Sequence, residues 1–479
     1  MGGHRPVRCV LLSASRGVQE AEVADEPEAP LEEPLGLSPE HVQSVIQAID
    51  ENDLDGVRAL VEPLHSADVA DLVEQLEPDE RRILVDVIRG LVASEVLPYL
   101  GEALRDDVVE HLGTKDVAAA LAELDVDDAI DVLEDLDEED QQEVLRALPA
   151  FERLQIEAGL AFPEDSAGRL MQRDFVAIPA YWTVGQTIDY MRQTDDLPDE
   201  FYEIFVVDPS HRPMGTVPLY RAMRTKRPVL IGDIMESEPI LIPAEMDQEE
   251  VAYHFQQYDL TSAGVVDESN RLIGAIMVDD VVDVIHEEAE EDLMRLAGVG
   301  ESDIFWTVAE TTKRRFLWLL VNLGTAVLAS IVISLFGATI EQVVALAILM
   351  PIVASMGGNA GTQTMTVTVR ALATRDLTVT NTFRIVSKEL VVGFVNGLLF
   401  AALVAAIAAV WFGGIALGGV IAIAMIINMI VAALAGILIP LGFDRFGVDP
   451  AVAATVFVTT VTDVVGFFAF LGLGAWLLL

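Results

Sequence analysis

Five long apolar stretches fill the last third of the chain, at about Phe316–Phe336, Val343–Leu372, Leu390–Trp411, Ile415–Leu441 and Pro450–Leu478. Each can cross a hydrocarbon core of roughly 30 Å, which takes about 20 helical residues. The connections are short, so the five helices must be neighbours. Basic residues set their direction. Lys313, Arg314 and Arg315 precede the first stretch, Arg370, Arg375, Arg384 and Lys388 surround the second loop, and Arg445 lies in the fourth. The first and third loops carry no Lys or Arg. Positive charge stays on the cytoplasmic side, so the N-terminus is expected inside and the C-terminus outside.

Polar groups at membrane depth are the next constraint. The second stretch holds "PIVASMGGNAGTQT" from Pro351, with Gly357, Gly358 and Gly361 allowing close helix approach and Asn359, Thr362, Gln363 and Thr364 needing partners. Pro351 is expected to kink that helix. Asn396 and Asn428 lie in the third and fourth stretches. Hydroxyl and amide groups of this kind often only join helices. Asp463, within "VTTVTDVVGFF", is different. A carboxylate at the bilayer centre costs about 2.5–3.5 kcal/mol on insertion scales and usually faces a cavity or ion path. With no Lys or Arg at membrane depth as an obvious partner, Asp463 reads as lining an aqueous route for cations.

The remainder of the chain is intensely acidic. Of 29 basic and 77 acidic residues, 7 and 6 lie from Arg314 onward, leaving 22 and 71 before it. That excludes nucleic acid as a partner, because phosphates require clustered Lys and Arg. It suits cations, and equally a halophile-like surface kept soluble at high salt. Cys9 is the single cysteine, so no intramolecular disulfide or thiolate zinc site is available. The apolar run near the N-terminus is too short for a signal peptide, and residues 1–37 read as a disordered acidic tail.

Residues 38–165 repeat an Asp-rich helix start followed by apolar residues at helical spacing, as in "SADVADLVEQLEPDERRILVDVI" and "TKDVAAALAELDVDDAIDVLEDL". Acidic first turns complement the helix dipole. A superhelical stack of short helices follows. Two α/β units come next, 166–231 and 232–292. "MQRDFVAIPAYWTVGQTIDYMRQ" from Met171 parallels "MESEPILIPAEMDQEEVAYHFQQ" from Met235, each leading to Val-Val-Asp, a turn, a glycine and a strand. This pattern resembles a tandem pair of CBS domains. Asp279, Asp280, Asp283, Glu287, Glu288, Glu290, Glu291 and Asp292 then crowd about fourteen positions. Such repulsion is relieved by a divalent cation with oxygen ligands, or tolerated on a solvated face.

The order of parts, with "PIVASMGGNAGTQT", "RALATRDL" and "GVDPAVAATVFVTTVTDVVGFF", resembles the MgtE family of magnesium channels from Ser38 to the C-terminus. The resemblance implies a multidomain fold: a helical superhelix N domain, a CBS pair, a connecting plug helix at 293–315 and a five-helix channel domain at 316–479. It implies a homodimer in the lipid bilayer with helices two and five lining the pore, and a Mg²⁺-selective, Mg²⁺-gated function. Asp463 would grip hydrated Mg²⁺, with Asn359 and backbone carbonyls near Gly358 helping and Gln363 part of the same motif. Mg²⁺ keeps several waters because it dehydrates reluctantly. Carried over by position, Asp127 and Asp131 would face Asp280 and Asp259 or Asp283, with Glu288, Glu291 and Asp292 near the plug. Mg²⁺ bridging these acids would hold a closed state. Pro218–Leu219–Tyr220–Arg221 and Met277–Val278–Asp279–Asp280 depart from the Thr/Ser–x–x–Asp ending of nucleotide-binding CBS domains, which argues against ATP. Competing readings are a Co²⁺, Mn²⁺ or general divalent cation transporter, and a membrane-anchored cation sensor that transports nothing. No sequence pattern suggests an enzyme.

Overall fold

The computed structural model describes residues 36–91, 95–134, 136–194, 197–198, 200–299, 308–378 and 380–479. The expected acidic tail lies almost wholly outside these residues, and the expected plug helix lies partly outside them. Within the described part, Leu293–Ala297 closes a long helix that begins at Val278, which we call the connecting helix. Val308–Arg315 opens the first membrane helix.

From Pro39 to Gly159 short helices stack around one apolar core that includes Val45, Val57, Leu72, Leu84, Leu97, Leu121 and Leu133. Their starts are capped as the sequence pattern requires. The Asp53 carboxylate accepts from the Gly56 amide at 3.1 Å, and Glu77 and Glu80 form a reciprocal capping box. Two buried arginines reveal the repeat. Arg81 donates to the carbonyls of Val73 and Leu76 and pairs with Asp107 at 3.3 Å. Arg105 does the same with Leu100 and Pro98 and pairs with Asp131 at 2.8 Å. Each guanidinium satisfies carbonyls left open where one helix ends and ties that turn to the next helix pair.

The two α/β units form separate small sheets. In the first, β1 (Ala177–Pro179) pairs parallel with β2 (Glu203–Val207), which pairs antiparallel with β3 (Pro213–Pro218), and β4 (Glu236–Ser237) adds to the edge. In the second, β5 (Leu241–Pro243), β6 (Ser262–Val266) and β7 (Leu272–Met277) repeat that order. The duplication extends to detail. Asp208 accepts from the amides of Ser210 and Arg212, and Asp267 accepts from those of Ser269 and Arg271, so both turns close alike.

Among the described residues, five helices are long and apolar enough to cross a membrane. They run Val308–Ser334, Val344–Ala373, Thr382–Phe412, Ile415–Arg445 and Pro450–Leu477. Helix two continues through Pro351. Helix three begins at Thr382 rather than near Leu390, which places Arg384, Lys388 and Glu389 on the helix itself. Long basic side chains near a helix end reach the interface while their stems stay apolar. Helix four is the hub, with Ile421, Ala424, Met425 and Asn428 fully buried. Asn428 donates to the Val353 carbonyl at 2.8 Å. It fits because a side chain on Gly357 would begin 2.1 Å from its amide nitrogen and one on Gly466 would begin 2.8 Å away.

Candidate functional site

Most threonines along helices two and five bond within their own helices, although no such bond is made by the hydroxyls of Thr362 and Thr364 among the described residues. Thr459, Thr460 and Thr462 donate to the carbonyls of Thr455, Val456 and Thr459, and Thr366 and Thr368 to those of Thr362 and Thr364. Intrahelical bonding of this kind costs little. It removes most hydroxyls from the groups awaiting an ion. Asp463 remains. It is half-buried and has no hydrogen bond or ion pair among the described residues. One turn earlier on the same face, Thr459 lies 4.0 Å from where a Gly358 side chain would begin. Asp463 and Gly358 thus share the junction of helices two and five. Asn359 and Gln363 do not. They lie one helical face away, exposed, and line a furrow toward helices three and four.

The second site lies between the N-terminal helical domain and the second α/β unit. Asp127, on the helix Val126–Glu134, is 8 % exposed, and its Oδ1 has no hydrogen-bond partner. Burial first, then the Asp280 charge, holds its carboxyl well above the usual range. Asp280 begins the connecting helix, accepting from the Met277 amide at 3.3 Å and from Gln172 at 3.4 Å. Burial and then Asp279 raise it to about 7, with Asp128 and Asp125 adding to the effect. Asp128 is raised to about 6 by burial, then Asp125 and Asp131, against Arg105. Asp283 is raised by burial and then Asp279, and also feels Asp131. Asp127 and Asp131 are therefore set against Asp280 and Asp283, although Asp131 is already paired with Arg105. Asp259 stands elsewhere. It is exposed, in a left-handed conformation (φ 52°) that ends the helix Gln248–Tyr258.

Further along the connecting helix, Glu288 accepts from Gln248 at 2.9 Å. Glu249 is raised to about 7 by burial, then by Glu288, Asp247 and Asp292. Asp292 is raised by burial and then by Asp449 of the membrane domain. Glu249, Asp247 and Asp128 do not stand out in the sequence. Their only signal is a helix-starting acidic run, which in this chain is everywhere. Among the described residues no three acidic, His or Cys side chains converge as a ready metal cage. The acids meet as opposed groups, which suits an ion held through its water shell.

This acidic region is tied to the membrane helices. Arg295 pairs with Glu291 on its own helix and with Asp449 at 2.7 Å, and Asp449 caps helix five through the Ala451 amide. Thr455 of helix five donates to the Leu296 carbonyl at 3.2 Å. Arg375, in the second loop, pairs with Glu250 at 3.2 Å and lies 4.8 Å over the Tyr253 ring. The N-terminal module thus rests on loops two and four, at one end of the bundle.

Three family models match this chain: a divalent cation transporter, MgtE, over residues 350–473; the MgtE intracellular N domain over 64–165; and a CBS domain over 231–287. The chain is 31 % identical over 441 residues to the magnesium transporter MgtE of Thermus thermophilus, covering 91 % of this chain and 98 % of that protein. It is 30 % identical over 439 residues to the magnesium transporter MgtE of Bacillus subtilis, covering 91 % of this chain and 96 % of that protein. A crystal structure of the cytosolic domain of the Mg²⁺ channel MgtE in complex with ATP is similar with a TM-score of 0.47. That domain is 30 % identical and covers 51 % of this chain and 99 % of its own.

Proposed function

The chain belongs to the MgtE family of magnesium transporters, and from that premise we propose that it is a multi-pass membrane protein carrying Mg²⁺ into the cell, closed by its own acidic module when Mg²⁺ is abundant inside. The module and loops two and four face the cytoplasm, where the basic residues of those loops belong. Two copies form the conducting unit, with the junction of helices two and five at the pathway and Asp463 gripping the ion through its waters. A single carboxylate per copy attracts the ion without stripping its shell, so the ion can also leave.

The observation that carries the gating reading is the burial of like-charged groups, Asp127 and Asp128 against Asp280, across a domain boundary. At neutral pH their repulsion favours separation. A divalent cation bound between them favours closure by as much as it prefers the closed arrangement. Arg295 and Thr455 then carry the position of the connecting helix to helix five.

The side-by-side flux of Mg²⁺, Mn²⁺, Co²⁺ and Ca²⁺ into proteoliposomes tests the transport reading. Mg²⁺ flux exceeding the other three is expected. Preferred Mn²⁺ or Co²⁺ flux would support the broader transporter, and no flux of any ion would support a sensor alone.

The raised carboxyls also fix the pH dependence of closure. Asp280 titrates at about 7 and Asp128 at about 6 in the closed arrangement, against about 3.9 for a free aspartate. Closure without metal is therefore favoured fully below about pH 4, and that contribution is lost as pH rises through 6 and 7. Mg²⁺ must displace those protons. Mg²⁺ added to the closed arrangement at about pH 6.5 is expected to release protons, and the Mg²⁺ needed to protect the module from protease is expected to rise between pH 6 and 8 as proton-supported closure is lost. If KCl at matched ionic strength protects equally and no protons are released, the acids are only a screened surface.

A further inference from the structure

Helices two and three both lean on helix four and leave a furrow of about 260 Å³ between them. The close approaches explain why. A side chain on Gly436 would begin 2.6 Å from the Gly361 carbonyl, so helices two and four touch there. A side chain on Gly393 would begin 2.9 Å from the Met429 carbonyl, and one on Gly397 would begin 3.2 Å from Ile426, so helices three and four touch along a second seam. Helices two and three cannot also close on each other.

The furrow is lined mainly by apolar groups such as Val367, Val392 and Phe400, with five polar side chains set among them at membrane depth. Helix two contributes Asn359, Gln363 and Thr364, and helix three contributes Glu389 and Asn396. Positions 359 and 363, and positions 389 and 396, recur at helical spacing, so each helix presents one stripe. Helix three begins at Thr382. At about 1.5 Å per residue, Glu389 lies roughly 10 Å into it and Asn396 roughly 10 Å further. The furrow therefore runs from near the N-terminal module toward the bilayer centre. Among the described residues Gln363 and Asn396 have no hydrogen-bond partner, and Asn359 has only Ser355 at 3.5 Å. Glu389 has a side chain 17 % exposed, and among the described residues its one partner is the neighbouring Lys388 at 3.8 Å, itself 73 % exposed and free to swing away.

One carboxylate facing several amides, in a space this large, suits a cation that keeps its waters. A water takes about 30 Å³ of liquid volume, so six of them around an ion fit. The carboxylate and the amide oxygens are acceptors, and the waters of a divalent ion are strong donors. An anion would meet the Glu389 charge at a depth where water does not screen it.

We propose that this furrow is a second hydrated Mg²⁺ site, separate from Asp463, in which Glu389 supplies the charge and Asn359, Gln363 and Asn396 hold the ion's waters on the side of the membrane domain nearest the module. It rests on the reading of the chain as a Mg²⁺ transporter. A resting place of this kind lets an ion that has passed Asp463 leave by steps.

The test uses hexaamminecobalt(III), whose six fixed ammonia ligands copy an octahedral, hydrogen-donating shell. Crystals of the full chain grown with it are expected to show anomalous cobalt density in the furrow. That density is expected to disappear in Glu389→Gln, to weaken in Asn396→Ala, and to persist in Asp463→Asn. In proteoliposomes, Glu389→Gln is expected to lower Mg²⁺ flux about tenfold, with partial recovery in Glu389→Asp. Absence of furrow density in the unmodified chain, or density unaltered in both Glu389→Gln and Asn396→Ala, would overturn the proposal. Failure of the unmodified chain to carry Mg²⁺ would instead overturn the transport reading, whatever the furrow holds.

Discussion

Replacing Asp463 with alanine is expected to lower Mg²⁺ flux through the reconstituted protein by roughly 10- to 100-fold and to flatten the preference for Mg²⁺ over Ca²⁺. The neighbours of Asp463 on helix five are threonines whose hydroxyls are already committed to their own helix. Gly358 opposite supplies no side chain. Among the described residues along this junction, Asp463 alone brings a full charge. A hydrogen bond to a charged group contributes about 1.5–3 kcal/mol, and about 1.4 kcal/mol is a factor of ten, which gives the expected range. Asp463→Asn separates charge from shape. It keeps an acceptor oxygen, so a smaller loss in flux with a similar loss in preference is expected. Equal flux and preference in Asp463→Ala would remove Asp463 from the pathway.

Deleting residues 1–292 is expected to leave a protein that conducts Mg²⁺ at internal concentrations that shut the full chain. The deletion removes Asp127, Asp128 and Asp280, whose opposition is the proposed sensor, together with Glu249 and Glu288. It also removes Glu250, which holds loop two through Arg375. It leaves Arg295 and its bond to Asp449, so the helix-five cap is undisturbed, and a change in flux reports the loss of the lever above it. Persistent inhibition by internal Mg²⁺ in the shortened protein would place the gate within the membrane helices. Withdrawing Mg²⁺ from the full chain is expected to resemble the deletion, with higher conductance and faster proteolysis between the helical domain and the second CBS unit.

Several candidate site residues are legible in the amino-acid sequence, and the reasons differ. Asp463 stands out because lipid tolerates so few charges that one carboxylate is conspicuous. Asp280 and Asp283 are marked by crowding, yet crowding does not separate them from Glu287 or Glu290, because nearly every helix start in this chain is acidic. Asp128 and Glu249 escape notice for that reason. Burial and the approach of a second domain raise their carboxyls, and neither leaves a trace in local sequence. Glu389 is hidden by a boundary. With the third span begun at Leu390 it belongs to a loop, whereas the helix begun at Thr382 carries it into the furrow. Helix ends are hard to place where basic side chains reach back to the interface.

Local chemistry by itself determined five spans, their expected direction, a helical repeat and a doubled α/β unit, because hydropathy, charge and turn residues act over a few neighbours. The tertiary structure decided which face each polar residue takes. Asn359 and Gly358 are adjacent in the chain, yet a turn of about 100° sends one toward the furrow and the other toward helix five. It decided which acids meet, since Asp127 and Asp280 are distant in sequence and come together only where two domains pack. The physical reason is the same in both cases. A residue's type fixes what it can bond, and only the packing of elements fixes what is there to bond.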